Sequence, residues 1–305
     1  MKITLPVDRQ PYWKDVVVIL IAFTFSRVLS ALFGIHLGYD ALFRYWQYLD
    51  TTTLRDNLLR GLWYDHAQPP FFNLILGLVL KTSGNSAPIV FASFLKCISL
   101  ANCLLLLAML RRLIKFRYIP LIITLIYLLS PALIIFESEL FYTTFISMLL
   151  LISAWFVLRL QDRVAAGGPF RSYPDISGTA MNSPAKLPWK YVIGIFLPLI
   201  VLCLTRSMYH VVWLAAASVC LLFAWKRTPA FRPLLTGALC SVLLVGGWYL
   251  KNYMIFGQFS TSSWLGMNLA RTVFYQYPVT DSSQIATIEP FSPLQYYHGF
   301  TDTSD

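Results

Sequence analysis

The chain has 305 residues, of which 57% are hydrophobic and only 12% are charged. Its apolar residues come in runs of about 17–24, long enough to cross a hydrocarbon core of ~30 Å, and this excludes an ordinary soluble protein of one or two domains. The net charge of +10 does not indicate nucleic-acid binding, because the basic residues lie between the runs, as the positive-inside bias of membrane proteins expects. We therefore predict an all-α, polytopic bundle of membrane helices.

The first predicted span covers residues 16–37. It is too long for the apolar region of a signal peptide and lacks a small-residue cleavage site, so we expect it to remain in the protein. Arg27 lies near its middle, where a charged side chain is usually paired inside a bundle or extends to the membrane surface. We expect Arg27 to have a structural role.

Residues 38–69 form the predicted first outer loop, which is polar but rich in aromatic residues. From Asp40 onward its apolar residues recur with helical periodicity, which predicts an amphipathic helix on the membrane surface. Thr53 and Asp56 have the spacing of a capping box, so we expect them to open a second short helix. The apolar side of this second helix consists of Leu54, Leu58 and Leu62.

Residues 69–83 are apolar, but a helix of that length measures only about 22 Å, which is short for a crossing. Residues 191–225 are too long for one crossing and are interrupted by the sequence RSMYH, which predicts two spans joined by a tight turn. The bundle is thus predicted to have about seven spans. They are residues 16–37, 87–110, 118–136, 140–158, the two parts of 191–225, and 233–249.

The charges predict the orientation of these spans. The amino-terminal segment and the loops at 111–117, 159–190 and 226–232 hold 15 of the 24 Lys and Arg residues, whereas the opposite side holds 10 of the 14 Asp and Glu residues. The amino terminus and a mobile linker at 159–190 are therefore predicted to be cytoplasmic. This division requires residues 69–83 to form a re-entrant or interfacial helix; if they cross, every later loop changes side.

Common motifs of soluble enzymes, such as a phosphate-binding glycine loop, HExxH, CxxC or GxSxG, do not occur in the sequence. Instead, ionisable residues gather on the predicted outer face. Asp40 fits a helix N-cap, a general base, or both. Asp65 and His66 fit either a polar turn or a site, and Glu137 and Glu139 fit either a polar turn between spans or catalysis.

Further candidates lie in the second half of the chain. Arg206 is near the outer end of its span, where an unpaired charge is costly, so it either extends to the membrane surface or binds a phosphate group there. His210 belongs to the same turn. Lys251 and Asn252 follow the last span, in a segment whose hydrogen-bonding groups surround an aromatic residue; carbohydrate pockets have this composition, and so do ordinary surface loops.

Three features occur in order along the chain. They are D-x4-Y at Asp40 and Tyr45, followed by a short helix and Pro69-Pro70; Ser130-Pro131 in a span that leads to an acidic turn; and K-N-Y-x-x-F-G at 251–257. Together these features resemble the GT-C superfamily of membrane glycosyltransferases, most closely its protein-mannosyltransferase and aminoarabinose-transferase branch. The resemblance covers most of residues 10–270.

The resemblance implies a glycosyltransferase that takes a sugar from a polyprenyl- or dolichyl-phosphate donor, with Asp40 as the catalytic carboxylate. We expect an inverting transfer, in which the acceptor hydroxyl loses its proton to Asp40. Relatives often have a second Asp where this chain has Thr143-Thr144, so Glu137 or Glu139 is expected to serve, and we assign Glu137. Gln68 replaces a basic residue of some relatives, and the chain ends sooner than most, which predicts a fragment or a minimal core.

The expected substrate-binding residues are Tyr45, Asp65, His66, Glu139, Arg206, His210, Lys251 and Asn252. No metal ligand is assigned, and the use of a divalent cation is left open. The predicted partners are a lipid-linked sugar donor, a lipid, glycan or protein acceptor, and membrane lipid, but no nucleic acid. Residues 1–250 are expected to form the transmembrane catalytic module and 251–305 an outer polar-aromatic segment, in a cell inner membrane or, in a eukaryote, the endoplasmic reticulum.

A multi-pass transporter or lipid flippase is the alternative. Transporters usually show repeats, broken helices near the membrane midplane and ionisable groups buried there, whereas here the polar groups gather at one predicted face. A seven-span receptor fits less well, because its amino terminus normally lies outside.

Overall fold

The structure is a computed structural model, and it describes residues 12–44, 48–165 and 189–264. Every regular element within these ranges is helical, as the apolar runs predict. Besides a 3₁₀ turn at Gly84–Ser86, the elements are α1 (Trp13–Leu32), α2 (Ala41–Arg44), α3 (Thr51–Asp56), α4 (Leu58–Tyr64), α5 (Pro70–Ser83), α6 (Ala87–Leu113), α7 (Ile119–Leu128), α8 (Pro131–Ser138), α9 (Thr143–Ala165), α10 (Trp189–Cys203), α11 (Val211–Trp225) and α12 (Phe231–Phe256).

Four helical stretches in the described ranges are long and apolar enough to cross a membrane, namely Trp13–Leu32, Pro70–Leu113, Thr143–Ala165 and Phe231–Phe256. The pair α7 and α8, bent by 49°, makes a fifth if it counts as one span. Helices α10 and α11 have only 15 residues each. The architecture is compatible with an integral membrane protein, and the count of seven spans stays a prediction.

The helices alternate in direction, so the bundle has two ends. At one end, here called the basic end, Arg111 pairs with Asp15 and Arg112 pairs with Asp162. These pairs join the start of α1 to the end of α6, and the end of α6 to the end of α9. The opposite end, here called the site end, holds the loops after α1, α8, α10 and α12.

Helix α5 has both of its ends toward the site end. Its second residue, Phe71, donates a backbone hydrogen bond to Leu204, just after α10, at 2.8 Å. At its other end Gly84 has φ 48° and ψ −121°, which breaks the helix before α6. Because α6 finishes at the basic end after 27 residues, its start must lie toward the site end. This is the arrangement expected of a segment that does not cross.

The first outer loop differs from the sequence prediction in its capping. Asp50 is the N-cap of α3, since its carboxylate accepts the Thr53 N–H at 2.9 Å. The predicted capping box at Thr53 and Asp56 is therefore wrong, because the helix begins one turn earlier than that box requires. Hydrogen bonds from the Thr52 hydroxyl and from Thr53 lower the pKa of Asp50 to about 2. The predicted apolar side is confirmed by the burial of Leu54, Leu58 and Leu62.

A buried ion pair closes the bend between α7 and α8. Pro131 begins α8 and cannot donate a backbone hydrogen bond, so the chain breaks there. Arg27 donates from Nη1 to the carbonyl of Leu128, the last residue of α7, at 2.9 Å, and from Nε and Nη2 to the two carboxylate oxygens of Glu137, both at 2.7 Å. Arg27 and Glu137 are 7% and 2% exposed. Of the two alternatives for Arg27, the structure shows pairing inside the bundle, which is a structural role.

Replacing Arg27 by Met should destabilise the fold by about 3–5 kcal/mol, because Glu137 is left buried without its cation. The double variant Arg27→Met, Glu137→Leu should recover most of that loss, since an apolar pair of similar volume carries no buried charge. Thermal unfolding of the purified protein in detergent measures both effects. Lys115→Met, in an exposed loop, is the control. An Arg27→Met variant as stable as Lys115→Met would contradict this account of the bend.

Candidate functional site

Two loops from distant parts of the chain, each carrying a carboxylate, meet at the site end. The backbone N–H of Gly38 donates to the carbonyl of Ser138 at 2.7 Å, and Gly38 lies opposite Glu139 in an isolated bridge. A Cβ at Gly38 would lie 2.9 Å from Glu139 Oε2, so glycine leaves room for this carboxylate. Asp40 follows two residues later and is exposed at the start of α2. The structure thus brings the loop of Asp40 against that of Glu139.

Glu137, the predicted second catalytic acid, lies elsewhere. Both of its oxygens accept hydrogen bonds from Arg27 inside the bundle, and its side chain is only 1% exposed. Because both oxygens are bound by Arg27 and the side chain is enclosed, this carboxylate is not accessible to an acceptor hydroxyl. Its catalytic role stays a prediction, and of the two acids Glu139 is the one beside the Asp40 loop.

Arg206 brings a cation to the same end of the bundle. It lies in the turn after α10, half-buried, with its guanidinium carbon 5.4 Å from the ring centroid of Tyr142. Tyr142 follows Glu139 by three residues and packs edge-on against Phe72. No carboxylate within the described residues forms an ion pair with Arg206. A guanidinium in this situation can bind an anionic group such as a phosphate.

His210, in the same turn, acts as a helix cap. Its Nδ1 accepts the backbone N–H of Val212 at 3.2 Å, and its ring packs edge-on against Tyr249. Burial lowers the pKa of His210. The imidazole is therefore neutral at physiological pH, which leaves Nδ1 able to accept the bond. Its predicted contact with substrate stays a prediction.

Asp65 organises the turn into α5. One of its oxygens accepts the backbone N–H groups of Ala67 and Gln68 at 2.9 and 3.2 Å, and the other accepts the side-chain amide of Asn73 at 3.3 Å. Asp65 is buried, and this burial raises its pKa against the lowering effect of those hydrogen bonds. The carboxylate thus holds its own loop together.

Lys251 is enclosed by aromatic rings and backbone carbonyls. Its ammonium donates to the carbonyl of Trp63 at 2.7 Å and lies 4.1 Å from the ring centroid of Trp248. Helix α12 continues past residue 249, the predicted end of the last span, and therefore includes Lys251. It ends at Phe256, because the next residue, Gly257, has a left-handed backbone conformation. Lys251 thus connects the end of α12 to the end of α4, and little of its ammonium group is exposed.

The segment after α12 folds back onto the loop of Asp65. Ser262 Oγ donates to the carbonyl of Ala67 at 2.6 Å, and the backbone N–H of Ser263 donates to the carbonyl of His66 at 2.9 Å. The exposed His66 ring also contacts Ser263 Oγ through Nδ1 at 3.1 Å. Asn252 is buried and donates to the carbonyl of Ser260 at 2.6 Å.

The structure therefore brings together four predicted site residues, Asp65, His66, Lys251 and Asn252. Tyr45 lies outside the described residues. Sequence reasoning missed three contact residues, namely Asn73, Tyr142 and Trp248. Asn73 alone carried a usable signal, as a polar residue on the otherwise apolar, buried side of α5.

An apolar cleft of about 430 Å³ extends along the bundle among α6, α9, α10 and α11. Leu199 and Trp213 line its end nearest the turn of Arg206, and Met109 and Leu113 line its end nearest the basic end. The ring of Trp213 lies 5.0 Å from that of Tyr209, whose backbone N–H donates to the carbonyl of Arg206. Helices α10 and α11, which the turn of Arg206 connects, therefore both line the cleft.

No group of three or more His, Cys, Asp and Glu side chains in the described ranges is placed to hold a metal ion. No family model, no curated protein and no solved structure matches the chain. The chemistry of the side chains at the site end therefore supplies the evidence for a function.

Proposed function

We propose that the protein is a membrane glycosyltransferase that moves a sugar from a polyprenyl- or dolichyl-phosphate donor to an acceptor at the site end. The observation that carries this proposal is the position of Arg206. Its half-buried guanidinium has no carboxylate partner in the described part of the chain, and its turn connects α10 and α11, two of the helices that line an apolar cleft. A ligand that suits both features has a phosphate head and a long hydrocarbon tail.

The donor is proposed to bind with its phosphate at Arg206 and its isoprenoid chain in the cleft. A planar guanidinium donates two parallel hydrogen bonds to phosphate oxygens, which fixes the orientation of the head group. The apolar lining would cover part of the tail, with the remainder in lipid. This arrangement directs the sugar toward the loops of Asp40 and Glu139.

Asp40 is proposed to act as the general base of an inverting transfer. The acceptor hydroxyl gives its proton to Asp40 while its oxygen attacks the anomeric carbon, and the bond from that carbon to the phosphate oxygen breaks. The lipid phosphate leaves as a stable anion and needs no strong acid. Glu139, whose loop contacts the loop of Asp40, replaces Glu137 in this proposal as the group that orients the acceptor.

The finer topology belongs to the same proposal. Seven spans would comprise α1, α6, the bent pair α7 and α8, α9, α10, α11 and α12, with α5 lying at the interface. The basic end would face the cytoplasm and the site end the periplasm or lumen. The protein would then be a multi-pass enzyme of a cell inner membrane or of the endoplasmic reticulum.

One observation favours the alternative of a transporter or flippase. A broken helix pair with a buried ion pair at the bend occurs in many transporters. Transport of a lipid-linked sugar across reconstituted vesicles, without transfer to any acceptor, would support that alternative. Sugar transfer by the purified protein in detergent, where no compartments exist, would support the transferase.

Asp40→Asn should leave folding and donor binding intact but slow turnover by at least a hundredfold, because the amide has nearly the same size as the carboxylate and cannot take the proton. Turnover is measured as sugar transfer from the lipid-linked donor. Asp50→Asn is the matched control, since it changes a carboxylate of the same outer loop that only caps α3. Near-wild-type turnover of Asp40→Asn would exclude Asp40 as the base.

Arg206→Lys should weaken donor binding about tenfold or more although the charge is kept, because an ammonium cannot form the two parallel hydrogen bonds. Arg206→Ala should weaken it further. Binding is measured with the purified protein and a polyprenyl-phosphate sugar, and Arg117→Lys in an exposed loop is the control. If both Arg206 variants bind the donor like the wild type, the guanidinium does not contact the phosphate.

A further inference from the structure

Three buried polar atoms at the contact between α6 and α9 have no hydrogen-bond partner in the part of the chain that the structure describes. They are Ser99 Oγ, Asn102 Oδ1 and Thr144 Oγ1. Ser99 and Asn102 are 0% exposed and Thr144 is 2% exposed. Buried polar groups in folded proteins are nearly always paired, so three orphaned atoms in one region call for an explanation.

The three atoms belong to one place. Asn102 donates from Nδ2 to the backbone carbonyl of Thr144 at 3.0 Å, which brings its carboxamide to the first turn of α9. This bond also fixes which side of the carboxamide is the oxygen, so Oδ1 is left to accept a hydrogen bond from elsewhere. Ser99 precedes Asn102 by three residues and therefore lies beside it on the same face of α6.

We propose that Ser99, Asn102 and Thr144 hold one internal water molecule that bridges α6 and α9. Two to four polar partners are what a buried water requires. The water can donate to Asn102 Oδ1 and to one hydroxyl, and it can accept the proton of the other. An ion fits less well, because all three groups are neutral.

This water would fix the position of α9 relative to α6. The first turn of α9 directly follows Tyr142, and the loop that holds Tyr142 also holds Glu139. A water bridge at Thr144 would therefore help to fix the position of the loop that holds Tyr142 and Glu139. The inference does not depend on the proposed transferase activity.

The test has two parts, a high-resolution density map of the wild-type protein and the melting temperatures of two variants. A high-resolution structure of the wild-type protein in a lipid nanodisc should show an ordered water within hydrogen-bond distance of all three atoms. Ser99→Ala and Thr144→Val should each lower the melting temperature by about 2–4 °C, because the water loses a partner. Thr124→Val is the control, since the buried Thr124 hydroxyl donates to the Pro120 carbonyl of its own helix at 2.8 Å.

Two results would overturn the proposal. The first is the absence of water density at the three atoms in the wild type. The second is a melting temperature that stays unchanged or rises in either variant, which is expected of a dry site from which an unpaired hydroxyl has been removed. If a variant fails to fold, the wild-type density still decides the question.

Discussion

The buried pair of Arg27 and Glu137 is the interaction on which the site end depends. It ties α1 to the bend between α7 and α8, and the two chain segments that leave these helices carry Asp40 and Glu139. Besides its bonds to the carboxylate, the guanidinium donates to the carbonyl of Leu128 at the end of α7, an acceptor that the break before Pro131 leaves near a helix end. Because a buried pair contributes little net stability over apolar residues of the same volume, its main effect here is to set geometry.

Several charged side chains at the site end hold the fold together. Glu137 is saturated by Arg27, and Lys251 is enclosed by Trp63 and Trp248. Asp65 is committed to the turn before α5. Arg206 has no carboxylate partner among the described residues, and its turn connects two helices that line an apolar cleft. This combination suits an amphipathic phosphate ester better than a soluble substrate.

Local pattern was sufficient to predict the helices and several of their breaks, because apolar runs, prolines and polar turns act within a few residues. The turn at 206–210 and the burial of Leu54, Leu58 and Leu62 are examples. Which of two neighbouring residues faces the interior was not predictable from local pattern. Whether Glu137 or Glu139 faces the interior depends on Arg27, 110 residues away, and the cage of Lys251 depends on Trp63 from another loop. Such long-range contacts leave no periodic signal in the sequence.

The central claim is that the loops of the candidate site share one side of a membrane. In a variant without the five native cysteines, single cysteines at Thr53, Gly257 and Lys115 can be labelled with an impermeant thiol reagent in intact cells. The account predicts that positions 53 and 257 both react from outside, because their loops meet at the site end, and that position 115 reacts only after permeabilisation. Labelling of positions 53 and 257 from opposite sides would contradict it, since α5 would then cross and the two halves of the site would be separated.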